Sequence, residues 1–337
     1  MRVWQVEGQW SMDNVKPALR PDPQPGPRQI RLAMRVCALN YRDLVVPLRG
    51  YGARMKELPL VMLCDGVGVV DAVGPGVTRF AVGDRVCPTL FPRWIDGPPD
   101  STKLSLSLGS ELDGTLAEAM VVDEDAACAV PAHLTDAEAA TLPTAAVTAW
   151  HALVTEGRLA PGDTVLVQGC GGVSLFALQF AHMLGARVIV TSSSDERLER
   201  ARALGADAGI NYVSDPDWSK RVRELSGGRG VDQLIEVGGS GTLAQSLRAV
   251  RTGGTVSLIG VLAGAELTGS LGLVVTRHVR LQGITGGSRA DFEAMAAAIA
   301  AHGMRPVVDR VFDSGQLLEA LALLRSGRQF GKIALRV

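Results

Sequence analysis

Apolar and polar positions alternate in part along "QIRLAMRVCALN", and "VGVVDAVGPGV" is an apolar strand broken by Gly-Pro-Gly. "FAVGDRVCPTL" follows with a Gly-Asp turn. The chain to about residue 125 therefore reads as short strands joined by turns, a compact glycine-rich β domain. The polar stretch "WIDGPPDSTKLSLSLGSELDG", from Trp94 to Gly114, reads as a long surface loop.

From about Asp136 the rhythm changes. "TDAEAATLPTAAVTAWHALV" opens a helix with Thr135 as N-cap and Glu138 three residues on, the spacing of a capping box. Strands then recur as "TVLVQG", "ARVIVT", "AGINY", "DQLIEV", "GTVSLIG" and "VRLQGI". Helical segments separate most of them, such as "DERLERARALG", which ends on a glycine suited to the position just past a helix. Six apolar strands with helical crossovers predict an α/β fold built on a doubly wound parallel sheet. The tail, "ADFEAMAAAIAAHG" and then "QLLEALALLRSGRQFGKIALRV", predicts a pair of helices and a closing strand that returns to the first domain. The expected division is 1–126, 127–285 and 286–337.

Composition narrows the class. With 337 residues, 47% of them hydrophobic, the chain is long enough for two cores and too apolar for disorder. Its 34 basic residues nearly cancel 35 acidic ones, and no basic run is long enough to track a nucleic-acid backbone, so nucleic acid is not an expected partner. No apolar run has the length of a membrane span, and the start "MRVWQVEGQW" lacks the apolar core of a signal peptide. Five scattered cysteines (Cys37, Cys64, Cys87, Cys128, Cys170) argue against a disulfide framework, and the expected compartment is the reducing cytoplasm.

The candidate chemistry begins at "VLVQGCGGVSLFALQFA". Gly169, Gly171 and Gly172 follow an apolar strand and precede an apolar helix that starts at Val173. A backbone that turns tightly there can approach a pyrophosphate, whose charge then faces the helix N-terminus. Ser174 stands where the third glycine of the G-x-G-x-x-G pattern would be, and it is small enough for helix and strand to pack. The next strand bears on which dinucleotide binds. An NAD site places a carboxylate at the end of that strand to bond the ribose 2′-hydroxyl. Here the end carries Thr191, Ser192, Ser193 and Ser194, with Arg197 about one helical turn on, positioned to pair with a 2′-phosphate. Asp195 and Glu196 keep NAD open, although carboxylates also suit the first turn of a helix. NADP(H) is expected ahead of NAD(H).

Taken together, "YRDLVV", "LCDGVGVVDAVGPGVTRFAVGDRV", "LPTAAVTAWHAL" with "GDTVLVQGCGGVSLFALQFA", and the end "FGKIALRV" resemble the medium-chain dehydrogenase/reductase superfamily. Within it the chain is most similar to the quinone oxidoreductase-like branch, a relation that spans nearly the whole length in order and spacing. The resemblance implies a GroES-like β-rich catalytic domain wrapped around a Rossmann domain. It also carries the catalytic zinc ligands of the zinc alcohol dehydrogenases onto Asn40, onto Cys64 with Asp65, and onto Thr144. Asn and Thr are poor zinc ligands, since such sites are built from thiolate, imidazole and carboxylate. The five histidines show no paired ligand spacing, and only Cys87 stands where a four-cysteine structural zinc lobe would begin. No zinc is expected.

Without a Lewis acid, alcohol oxidation is hard, but hydride reduction of a quinone or an α,β-unsaturated carbonyl needs only hydrogen-bond donors for the charge that develops on oxygen. The resemblance points to Tyr51 as a donor facing the nicotinamide and to Asn40 at the vacated ligand position. Tyr41 and Arg42 lie in the same stretch, with Arg42–Asp43 also readable as a structural ion pair. On the cofactor side it implies contacts from Thr148 and Tyr212, from Ile259 to Leu262 (including Val261), from Ile284 and Thr285 to Ser288, and from Phe330, Gly331 and Lys332. Leu44, Leu60, Phe91 and Trp94 read either as cleft lining or as core. Two other readings remain: an alcohol dehydrogenase using Cys64, Asp65 and a further ligand, and a nucleotide-binding sensor or crystallin-like protein without turnover. Relatives are usually homodimers or homotetramers joined through the last Rossmann strand, which places the expected seam at "VRLQGI".

Overall fold

The computed structural model describes residues 1–267 and 269–337. Its strands are β1 (Arg2–Val6), β2 (Val15–Leu19), β3 (Gln29–Ala38), β4 (Leu60–Val61), β5 (Asp65–Val73), β6 (Arg85–Pro88), β7 (Ala119–Asp123), β8 (Ala127–Ala129), β9 (Thr164–Gln168), β10 (Arg187–Ser192), β11 (Ala208–Asn211), β12 (Val231–Glu236), β13 (Val250–Leu258), β14 (Arg280–Gly283), β15 (Val308–Asp313) and β16 (Lys332–Arg336). The chain divides into two compact units, one of residues 1–147 and 286–337, the other of 148–285.

The first unit is β-rich. The ten-residue β3 organises it, because irregularities at Arg31/Leu32 and Met34/Val36 bend the strand. One side of β3 pairs with β5, and the other is shared by β7 along its first half and β16 along its last residues. The resulting sheet runs β15-β16-β3-β5-β6-β8, and a small second sheet runs β2-β1-β4. The core gathers Ile30, Leu32, Leu60, Met62, Val70, Val86, Phe312, Ile333 and Leu335. Leu44, Leu60, Phe91 and Trp94 belong to that core rather than to a lining. The stretch from Trp94 to Gly114 is surface only in part. Residues 96–102 are exposed, whereas 107–110 are buried. A Cβ at Gly114 would lie 2.0 Å from the Leu63 carbonyl oxygen, so glycine is what lets this segment press against the backbone beside Cys64.

The expected boundary at 126/127 moves to 147/148. The reason is pairing. β8 adds to β6, and the helix Asp136–Ala139, capped by the Thr135/Glu138 box, is tied back by Arg85–Asp136 and Arg305–Glu138 ion pairs. The tail carries one strand more than the pattern suggested: β15 lies between its two helices and pairs in parallel with β16.

The second unit is a six-stranded, all-parallel sheet in the order β11-β10-β9-β12-β13-β14. That is the 3-2-1-4-5-6 order of a doubly wound fold, with its reversal between β9 and β12. Leu166, Ile189, Ile210, Leu234 and Val256 form one face of its core. β14, the strand of the expected seam, lies at one edge. Among the described residues no helix is long and apolar enough to cross a membrane.

Candidate active site

Two sets of residues carry the chemistry, one in each unit. In the second unit the strands are parallel, so the residues after each of them collect along a single edge of the sheet. Gly169 follows β9 with φ +71°, a conformation a side chain would strain. Gly171 caps the helix Gly172–Met183, and added Cβ atoms at Gly169 and Gly171 would meet nothing within 4 Å. The turn is therefore an open backbone cradle at a helix N-terminus, suited to a pyrophosphate. Val173 is the second residue of that helix. Ser174 replaces the third glycine at no cost in unsatisfied polarity, since its hydroxyl donates to the Gln168 carbonyl at 2.7 Å.

Ser192 ends β10, and its carbonyl accepts the Tyr212 N–H at 3.0 Å, which brings Tyr212 alongside it. Ser193 is exposed, and Ser194 caps the next helix by accepting the Arg197 N–H. The Arg197 guanidinium has no acceptor among the described residues, although its charge reaches the thiol of Cys170 in the glycine turn. Burial raises that thiol's pKa, while a hydrogen bond with Ser192 and the charges of Arg197 and Arg200 oppose the shift. Asp195, the rival ribose ligand, accepts from Asn211 Nδ2 at 2.9 Å. Ser192, Ser193, Arg197 and Tyr212 are thus gathered at the ends of β10 and β11. Ile259 and Val261 follow β13, while Ile284, whose N–H bonds the Leu258 carbonyl at 2.9 Å, and Thr285 follow β14. Thr148 is buried at the start of the unit.

Sequence reasoning missed Glu236, fully buried at the end of β12. Its Oε1 accepts the N–H groups of Gly238 and Gly239 at 2.8 and 3.1 Å and the Thr242 hydroxyl, and its Oε2 accepts from Gln168 at 2.9 Å and from Ser246. It shapes the Gly-Gly turn after β12. A carboxylate ending an apolar strand ahead of two glycines was the available signal.

In the first unit, Asn40, Cys64, Asp65 and Thr144 do meet, and Lys332 joins them. Asn40 Nδ2 donates to Asp65 Oδ2 at 2.8 Å and lies 3.6 Å from Cys64 Sγ. Thr144 Oγ1 donates to Asp65 Oδ1 at 2.5 Å and lies 3.6 Å from the same sulfur. Lys332, only 3% exposed, donates to the Leu39 carbonyl and Asn40 Oδ1, both at 2.6 Å, and to Asp65 Oδ2 at 3.5 Å. This corrects the expected cofactor role of Lys332: three acceptors within the first unit take its three protons. Phe330 is also buried in this unit, its N–H on Asp309. Because Lys332 fixes Oδ1, the Asn40 amide can present only N–H groups to Asp65, Cys64 and any ligand.

Asp43 does not form the ion pair with Arg42. Its carboxylate accepts the Asn40 N–H at 2.7 Å, and burial pushes its pKa up to about 7. Arg42 instead lies over the Tyr51 ring, with Cζ 5.5 Å from the centroid, and its Nη2 donates to Ser107 at 3.2 Å. Burial holds the Tyr51 phenol above its ordinary pKa, against the opposing charge of Arg42. Tyr41 is about half exposed, and its hydroxyl makes no hydrogen bond among the described residues.

A parallel sheet with an open glycine turn at its carboxyl edge, in one chain with a β-rich unit holding a buried polar cluster, defines a nucleotide-dependent oxidoreductase. The alcohol dehydrogenase GroES-like domain matches residues 26–132, and the zinc-binding dehydrogenase domain matches 172–301. A zinc-type alcohol dehydrogenase-like protein of Schizosaccharomyces pombe is 40% identical over 332 residues, 96% of each chain. A 2-haloacrylate reductase of a Burkholderia species is 33% identical over 247 residues, 71% of this chain and 67% of that protein. A solved Sinorhizobium meliloti 1021 protein, provisionally described as an alcohol dehydrogenase, superposes with a TM-score of 0.94 at 44% identity, over 100% of this chain and 98% of that one. The chain belongs to the medium-chain dehydrogenase/reductase superfamily.

That family makes zinc the ion to test against these residues. An amide and a hydroxyl hold two of the four positions, and both are poor zinc ligands. Both oxygens of Asp65 are already engaged, one of them by an ammonium. These residues do not fit zinc.

Proposed function

We propose that this chain is an NADPH-dependent reductase of quinones or α,β-unsaturated carbonyl compounds that works without zinc. The observation that carries this reading is the Asn40–Asp65–Thr144–Lys332 network, which fills the vacated ligand positions with hydrogen-bond donors. The name of the Burkholderia relative, which refers to an α,β-unsaturated acid, supports the same reaction type.

Gly169, Gly171, Gly172 and Val173 would hold the pyrophosphate. Ser192, Ser193, Arg197 and Tyr212 would hold the 2′-phosphate, chiefly through a guanidinium with no acceptor among the described residues and the exposed Ser193 hydroxyl. Thr148, Ile259, Val261, Ile284 and Thr285 would contact the rest of the dinucleotide. NADPH, when bound, supplies the hydride. Asn40 donates its amide N–H to the substrate oxygen as negative charge develops there, and Lys332 keeps that amide from flipping. Tyr51 donates from its phenol, passes that proton to the reduced product and, being 45% exposed, recovers a proton from solvent. Asp65 orients Asn40 and balances the Lys332 charge. β14, at the sheet edge, and the exposed Leu267, Leu271 and Val275 nearby in sequence would form the seam of a homodimer.

Consumption of NADPH with 1,2-naphthoquinone, an enone and a simple aldehyde tests the reading. Reduction of the first two, unaffected by a chelator and without stoichiometric zinc in elemental analysis, is expected. Chelator-sensitive alcohol oxidation with a full equivalent of zinc would overturn it, as would tight NADPH binding with no turnover on any acceptor.

A further inference from the structure

Among the described residues Arg42 forms no ion pair, although the charges of Asp43 and Asp65 act on it from a distance. The cations around it are matched: Lys332 with Asp65 at 3.5 Å, and Arg54 with Glu111 at 3.4 Å. The nearby Asp43 carboxylate is turned to the Asn40 N–H, at 2.7 Å, rather than to the guanidinium. Arg42 itself makes one hydrogen bond, to Ser107 Oγ, and stacks on Tyr51. Its Nε is shut off from solvent with no hydrogen-bond partner, and Nη1 makes no hydrogen bond among the described residues. A guanidinium kept out of bulk water with unused N–H groups is costly unless an anion completes it.

The anion's place and kind follow from the neighbours. Arg42 is two residues from Asn40, it carries the Tyr51 ring, and its charge acts on the Cys64 thiol. It therefore sits among the donors already assigned to the substrate oxygen. Ser107 is spoken for, since its hydroxyl donates to Glu111 at 2.7 Å, so few donors remain. Asp65, Asp43 and Glu111 surround the spot with carboxyl groups. A compact monoanion suits the N–H groups of Nη1, whereas a doubly charged phosphate would meet too much negative charge from the surrounding carboxyl groups.

We propose that Arg42 anchors a carboxylate carried by the substrate, so that the compounds this chain reduces best are α,β-unsaturated carbonyl compounds bearing a carboxylate a few atoms from the reacting carbon. The assignment rests on the reductase reading for its substrate, but the anion site is tested separately by binding.

The matched probes are 4-oxopentanoate and hexane-2,5-dione, which have the same shape with one carboxylate oxygen exchanged for a methyl. Calorimetry on the full chain with NADP⁺ present should show the acid binding about 10- to 100-fold more tightly than the dione, as one charged hydrogen-bonded contact implies. Arg42→Gln should abolish that difference, and Arg42→Lys should keep part of it. Equal binding of the two probes by the wild-type chain overturns the proposal without any variant, and so does an acid preference that survives Arg42→Gln. The unsaturated pair, 4-oxopent-2-enoate and hex-3-ene-2,5-dione, then reads turnover. Because Arg42 also carries the Tyr51 ring, Arg42→Gln should lower kcat/KM for both compounds, but for the acid about 10- to 100-fold more than for the dione; equal losses overturn the proposal. If the acid binds as expected and neither unsaturated compound consumes NADPH, the anion site stands and the reductase reading falls.

Discussion

Lys332→Met removes the ammonium and keeps most of the stem. It strands three acceptors: the Leu39 carbonyl, Asn40 Oδ1 and the fully buried Asp65 carboxylate. Breaking a buried ion pair by deleting one partner typically costs about 3–5 kcal/mol, because the remaining charge stays uncompensated. Asp65 retains its bonds from Thr144 and Asn40, which argues for the middle of that range, about 4 kcal/mol. The first unit has roughly 200 residues, so at about 2.1 cal/mol/K of unfolding entropy per residue that loss lowers its Tm by roughly 10 °C. Thermal and urea unfolding at neutral pH measure it. Asp65→Asn alone should also destabilise, by leaving the ammonium unpaired. The double variant Lys332→Met, Asp65→Asn carries no buried charge and should lose at least about 2 kcal/mol less than the sum of the singles. A Lys332→Met cost below about 1 kcal/mol, or strict additivity of the two changes, would refute the view that this pair is a coupled buried unit.

Three further outcomes follow from other parts of the molecule. Arg197→Ala should weaken NADPH by about 10- to 100-fold in a fluorescence titration and leave NADH unchanged; equal losses would remove Arg197 from the 2′-phosphate. Tyr51→Phe should lower turnover by about 10²-fold or more where hydride transfer is shown by an isotope effect to limit the rate, and unchanged turnover there would end its donor role. Asp43 gives a pH signature. Its folded carboxyl titrates at about 7, above the ordinary 3.8, so between those values the folded chain holds a proton the unfolded chain releases. Stability therefore falls as pH rises from about 4 to 7, by about 4 kcal/mol at 1.36 kcal/mol per unit, and Asp43→Asn should remove that slope. A slope identical in the variant would place the titrating group elsewhere.

What the sequence revealed and what it hid divide along contact distance. The six strands, the glycine turn and the Thr135/Glu138 cap are local patterns, and the structure carries each of them. The Lys332 partnership joins residues 292 and 267 positions apart, which no window along the chain can see. The warning was compositional: a lysine inside the apolar strand "KIALR" needs a buried partner. The first-unit boundary failed for a related reason. The three-residue β8 is too short to register as a strand, yet its pairing with β6 keeps residues 127–147 in the first unit. The Trp94–Gly114 stretch was misjudged by its polarity, because glycine there serves close backbone approach rather than solvent exposure.

The proposed substrate class can be weighed against alcohol oxidation by magnitude. Lowering the pKa of a hydroxyl from about 15.7 to about 7, as zinc does for bound water, is worth about 12 kcal/mol at 1.36 kcal/mol per unit. One aligned donor contributes about 2.7–4 kcal/mol to an oxyanion. Asn40 and Tyr51 together reach roughly 5–8 kcal/mol, short of that requirement by several kcal/mol. A charge delocalised as in a phenolate, whose parent acid has a pKa near 10, needs only about 4 kcal/mol to be stabilised at neutral pH. Two hydrogen-bond donors therefore suffice for a quinone and fall short for a simple alcohol. The same arithmetic predicts a graded series: reduction rates along a set of acceptors should rise as the pKa of the enol or hydroquinone produced falls. A flat dependence, or fast turnover of unconjugated ketones, would mean that a stronger electrophile than Asn40 and Tyr51 is at work.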